Sequence, residues 1–162
     1  MAVIHNEQKR QEIVDLLTQA YWMEIETVMS YIPNSINPDG VRAEEVKESL
    51  ADDIKSELGH ALLFANRIKD LHGQVPGSME FHADQRSLQP PSDSVDVVHV
   101  IKGVIEAEQA AVDHYTRIIQ TCEGVDYATQ DMVIDILKDE QRHLRQFEGF
   151  LREYESAYAG VQ

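Results

Sequence analysis

Cysteine is nearly absent from this 162-residue chain, and the lone Cys122 leaves neither an intrachain disulfide framework nor a cysteine-built zinc site. Long apolar runs are absent too. No stretch approaches the roughly 20 apolar residues of a membrane span, and the N-terminal MAVIHNEQKR lacks the apolar run of a secretory leader. Positive charge is scarce. With 14 Lys+Arg against 29 Asp+Glu, the net charge is −15. Phosphate backbones and anionic membranes repel such a surface, so neither nucleic acid nor membrane is expected as a partner, whereas cations are attracted. A soluble cytoplasmic protein is the expectation. Strand signals are few: VDVVHVIKGVI is the one β-branched run, and it keeps helical register.

The five prolines gather in two places. Pro33 and Pro38 break the chain in IPNSINPDG, and Pro76, Pro90 and Pro91 fall in the long connection over residues 73–93. Between these breaks the apolar spacing predicts helices at about 6–32, 41–72, 94–122 and 127–157 within one domain spanning 1–162. Ser92–Ser94 offers the cap for the third. Short links make helices one and two, and three and four, antiparallel hairpins. The long middle segment can cross the bundle's length. The expected fold is an all-α four-helix bundle with a long crossover between helices 2 and 3.

Each buried stripe carries charge where apolar residues belong. Helix one reads Ile13, Leu17, Ala20, Glu24, Val28, Tyr31, and helix two reads Val46, Leu50, Ile54, Glu57, Ala61, Ala65, Ile68. Helix three reads Val97, Ile101, Val104, Glu108, Ala111, Tyr115, Ile118, and helix four places Glu140 and His143 among Val133, Ile136, Leu144 and Phe147. The halves repeat. EIETVMSY and EQAAVDHY both read Glu-x-x-small-x-x-x-Tyr, and ELGH and EQRH both read Glu-x-x-His. Glu24 precedes Glu57 by 33 residues, and Glu108 precedes Glu140 by 32. Residues three apart share a helix face, so four carboxylates and two imidazoles meet in one core. Clustered carboxylates raise one another's pKa unless cations neutralise them, and two divalent cations balance four carboxylates. A six-group buried ionic network without metal is costly. Glu24, Glu57, His60, Glu108, Glu140 and His143 are therefore the candidate metal ligands and catalytic residues, in the pattern of di-iron and di-manganese carboxylate bundles.

Neighbouring residues read differently. Glu26 and Glu106 sit about 200° round from Glu24 and Glu108 and are expected on solvated faces; Glu106 replaces Glu108 as ligand only if the register slips. Tyr31 and Tyr115 lie on the ligand face, placed to hydrogen-bond carboxylates. His5, His72, His82, His99 and His114 lack an acidic partner at ligand spacing and read as surface or incidental. Trp22 and Met23 read as packing residues, and Cys122 as a small buried one.

With these residues in place, the sequence resembles the ferritin-like superfamily, in its bacterioferritin and Dps-like branch, over about residues 6–157. DMVIDILKDEQRH (131–143) is similar to the fourth-helix ferroxidase segment of bacterioferritins. The resemblance implies a di-iron centre in which Glu57 and Glu140 bridge, Glu24 and His60 hold one iron, and Glu108 and His143 hold the other. It implies a ferroxidase that oxidises Fe(II) with O2 or H2O2, stores and detoxifies iron, and forms a homo-oligomer, from a dimer to a dodecameric or 24-subunit shell. There are departures. Leu58 stands where bacterioferritins place the haem-binding methionine, so haem is not expected. All six ligands come from one chain, unlike the intersubunit site of Dps proteins proper. The paired cysteines of some Dps-like ferritins and a short fifth helix are not evident. Rival activities on the same bundle are a manganese catalase, separated by metal preference, and a rubrerythrin-like peroxidase, whose rubredoxin-type site needs cysteines. A non-catalytic Dps-like coat for DNA is opposed by the charge.

Overall fold

Apolar residues three and four apart bury along four long helices, α1 (Glu7–Ile36), α2 (Glu44–Asp70), α3 (Val97–Cys122) and α4 (Tyr127–Ala159). The computed structural model describes residues 6–159; His5 lies outside them. The architecture is an all-helical four-helix bundle with a long connection between α2 and α3. α1 packs chiefly along α2, and α3 along α4. Among the described residues no helix is long and apolar enough to cross a membrane.

Three helix ends differ from expectation. α1 runs through Pro33 to Ile36, because proline forfeits only one bond in a last turn and Asn34 ties that turn down. Its Nδ2 donates to Ser30 O (2.9 Å) and to Leu88 O in the crossover (2.7 Å). α2 begins only at Glu44, after a 3₁₀ turn at Val41–Ala43. α3 begins at Val97, and its cap is Asp96, which accepts from His99 N at 3.0 Å, rather than Ser92–Ser94. On α2 the core position falls to Phe64, while Ala65 and Ile54 stay partly buried.

The core has two apolar lobes. One gathers Ile13, Leu17, Phe64, Ile68, Ile118 and Val133. The other gathers Val46, Leu50, Leu88, Ile101, Val104 and Phe147. Each helix crosses from one lobe to the other through the turn that carries its glutamate, so the polar layer is the seam between them.

The crossover is strapped to both helices beneath it. Glu26 on α1 accepts from the backbone N–H groups of Asp84 and Gln85, each at 2.8 Å, and is 6% exposed, so the solvated face expected for it is corrected. Its carboxylate satisfies two backbone donors just ahead of the short 3₁₀ turn at Arg86–Leu88. On α3, a Cβ at Gly103 would sit 2.3 Å from Ser87 O. Gly103→Ala is therefore expected to destabilise the protein by about 1–3 kcal/mol, as overpacking does, read as a lower urea midpoint at unchanged slope.

Candidate metal centre

The seam brings together all six residues that the sequence singled out. Their donor atoms form two sets, Glu24, Glu57, His60 with Glu140, and Glu57, Glu108, Glu140 with His143. Within each set the atoms lie within 4.8 Å of one another, and Glu57 and Glu140 belong to both. None of the six is more than 8% exposed. Glu106 is exposed and outside the cluster.

The imidazole nitrogens lie directly among the carboxylate oxygens. His60 Nδ1 is 2.8 Å from Glu140 Oε1, 3.4 Å from Glu57 Oε2 and 3.7 Å from Glu24 Oε1. His143 Nδ1 is 3.1 Å from Glu57 Oε1 and 3.8 Å from Glu108 Oε1. Yet both Nδ1 atoms, both Glu57 oxygens, Glu108 Oε2 and Glu140 Oε1 are buried with no hydrogen bond of acceptable geometry.

Outer groups orient this layer crosswise. Tyr31 of α1 donates to Glu108 of α3 at 2.5 Å, and Tyr115 of α3 donates to Glu24 of α1. Both tyrosines are fully buried, and burial with the facing carboxylates raises their pKa, so they stay protonated donors. His60 Nε2 lies 3.3 Å from Asp139 Oδ2 on α4, and His143 Nε2 lies 3.5 Å from Asp53 Oδ1 on α2. Each imidazole thus turns Nε2 to an outer carboxylate and Nδ1 inward, the arrangement that fixes a metal-binding tautomer.

Protonation follows burial and pairing. Burial raises Glu24 well above the usual carboxylate range, and the charges of Glu57 and Glu140 add to it. Burial with Glu140 and Glu57 does the same to Glu108. Burial also pushes Glu57 up, but His143 and His60 beside it win and hold it at about 2. Burial opposes charge on His60, yet Glu140 and Glu57 lift it to about 10. His143 is raised against its burial by Glu57 and Asp53. Asp53 is raised to about 6, mainly by burial.

Sequence reasoning missed Asp53, Asp139 and Gln85. Asp53 had a signal, lying one turn before Glu57 on the same face. Asp139, adjacent to Glu140, and Gln85, in the irregular crossover, had none. His114 was misread. It is 7% exposed and donates through Nε2 to Leu16 O at 2.8 Å, joining α3 to α1. Cys122 is fully buried, which pushes its thiol up to about 12. Trp22 packs on Tyr21 and Phe81. His72, His82 and His99 are exposed.

Comparison with known proteins follows the same lines. The family model described as a ferritin-like domain matches residues 14–157. A DNA protection during starvation protein of Pyrococcus furiosus is 28% identical over 143 residues, 87% of this chain and 77% of the relative. A bacterioferritin of Desulfovibrio desulfuricans is 23% identical over 145 residues, 89% of this chain and 76% of the relative. A solved D. desulfuricans bacterioferritin, whose diiron site is described in several catalytic states, superposes with a TM-score of 0.79 at 20% identity, covering 93% of this chain and 84% of the other. A dodecameric thioferritin, the bacterioferritin-related protein of Bacteroides fragilis, superposes with a TM-score of 0.80 at 21% identity, covering 94% and 91%.

Proposed function

Since the chain belongs to the ferritin-like domain family, we propose that it is a ferroxidase that takes two Fe(II) ions per chain into the seam and oxidises them with O2 or H2O2. The observation that carries this reading is a set of six buried donor atoms on Glu57, His60, Glu108, Glu140 and His143 that crowd one another at ion-pair distance yet make no hydrogen bond of acceptable geometry. Each such atom left unsatisfied costs about 1–3 kcal/mol. Six around one centre are explained by cations, and oxygen with imidazole nitrogen suits iron or manganese.

The residues divide the work. Glu57 and Glu140, which belong to both donor sets, would be shared by the two irons. Glu24 with His60 would hold one, and Glu108 with His143 would hold the other. Tyr31 and Tyr115 each engage one oxygen of a terminal glutamate and steady its rotamer. Asp139 and Asp53 keep the imidazoles turned inward. Iron is the substrate. Two Fe(II) give up one electron each. O2 with two protons leaves as H2O2, or H2O2 with two protons leaves as two waters. The protein supplies fixed geometry and a negative enclosure.

Self-association belongs to the same reading. α1 exposes Met29, Ile32 and Ile36, and α2 exposes Leu58, Leu62 and Leu63, more apolar surface than a lone bundle needs. The Bacteroides fragilis relative is dodecameric, and we assign this chain a homo-oligomer that stores the ferric product. The net charge of −15 argues against the DNA protection named for the Pyrococcus relative.

Aerobic titration of metal-free protein with Fe(II), followed by ferric absorbance, tests the activity. Fast oxidation with a break at about two irons per chain is expected from the paired donor sets. Oxidation at the rate of buffer alone overturns it.

A further inference from the structure

Two hollows meet at one side chain. Outside the bundle, between α1 and α3 and beneath the crossover, lies a cavity of about 750 Å³. Inside, against Glu24, Glu57, Glu108 and Glu140, lies a hollow of about 10 Å³. Met23, Gln85 and Ala107 line both and form the partition. Met23 and Ala107 are held by their helices. Gln85 comes from the crossover, and it is the one residue of the three that no long helix carries.

Its backbone is anchored. Gln85 N–H donates to Glu26, and Gln85 O accepts from Gln89 Nε2 at 3.0 Å. The side chain hangs on two ties from one nitrogen, Nε2 to Thr27 Oγ1 at 2.8 Å and to Met23 O at 3.3 Å. Its Oε1 is buried without a partner. A fixed backbone, a two-point latch and a buried oxygen without a hydrogen bond suit a group that can turn aside, and amide oxygen is a hard donor suited to a divalent cation in passage. The outer cavity has the matching charge. Asp15, Glu26, Asp84 and Glu106 line it against a single cationic residue, Arg86.

We propose that Gln85 is the door between this outer cavity and the metal centre, and that divalent cations reach the centre from the α1/α3 side past its amide. The proposal rests on the two-cation reading of the centre. A door sets a barrier without setting an equilibrium, so altering it changes entrance and exit rates by the same factor. A ligand would change affinity instead. The rival path is the acidic pocket of Glu45, Glu48, Asp52 and Asp53 on the α2/α4 side.

The test uses Co(II), which is redox-silent and coloured when bound, on the metal-free full chain. Stopped-flow absorbance gives the uptake rate, a chelator chase gives the removal rate, and competition gives the affinity. Gln85→Ala should raise both rates about tenfold, equal to about 1.4 kcal/mol of barrier, with affinity and spectrum unchanged within about twofold. Thr27→Val, which unfastens the latch, should move both rates the same way. Ala110→Trp narrows the outer cavity from an exposed position that is safe for folding. It should slow both rates by about fivefold or more, about 1 kcal/mol. Unchanged rates in Ala110→Trp would place the path elsewhere and overturn the proposal. So would a Gln85→Ala protein that loses affinity and changes its spectrum, since Gln85 would then be a ligand. Unaltered protein that binds no Co(II) would overturn the centre itself, a failure separate from that of the door.

Discussion

Metal-free protein carrying Glu57→Ala or Glu140→Ala is expected to oxidise Fe(II) under air at least about 100-fold more slowly than the unaltered chain, because removing a shared ligand exceeds the 10- to 100-fold cost of removing an orienting neighbour. Both glutamates belong to both donor sets, so either loss damages two sites at once. Glu24 and Glu108 belong to one set each. Glu24→Ala or Glu108→Ala should therefore move the binding break from about two cations per chain to about one, measured with Zn(II) by calorimetry. Glu106→Ala should change neither quantity, since Glu106 is exposed outside the cluster. The three outcomes together test the register. Oxidation that survives loss of Glu57, or collapses on loss of Glu106, would remove the assignment.

The buried Glu/His cluster was legible because its signal is periodic twice over. Helical spacing put Glu24, Glu57, Glu108 and Glu140 on apolar stripes, and the repeat between halves made chance an unattractive explanation. The crosswise partnership of Tyr31 with Glu108 and Tyr115 with Glu24 was half legible. Spacing placed both tyrosines on the right face but could not say that each serves the other half's glutamate, because that depends on how the hairpins dock. The crossover was opaque. Glu26 and His114 sit off the core stripes and are buried because the crossover and α1 cover them, which no intrahelical period encodes. Gln85 lies in a segment whose conformation is set by contacts to Glu26, Thr27 and Gly103, residues distant in sequence.

The strongest pH effect should come from protons that the metals displace. In the metal-free protein Glu24 and Glu108 are raised well above 4.5, His60 sits at about 10, and His143 is raised above 6.5. These four groups hold protons that cation ligands must give up. Zn(II) loading near pH 7 should release up to about four protons per chain, and affinity should climb with pH accordingly. Calorimetry in buffers of different ionisation enthalpy counts them; release of less than about one proton per chain would contradict the protonation scheme. Stability without metal carries the opposite trend. His60 binds its proton more tightly folded, at about 10, than unfolded, at 6.5, so its contribution is whole below about 6.5 and gone once pH passes about 10. The raised Glu24 and Glu108 act with the same sign from 4.5 upward. Glu57, lowered to about 2 from 4.5, acts oppositely, and its contribution is lost only as pH falls toward 2. Metal-free protein should thus be most stable on the acid side of neutrality and lose a few kcal/mol toward about pH 10. Urea unfolding at about pH 6 and about pH 9, with and without Zn(II), measures the sign: metal-free stability falls between them, while the increment from Zn(II) grows, because the protons that stabilise the empty seam are those the metals must replace.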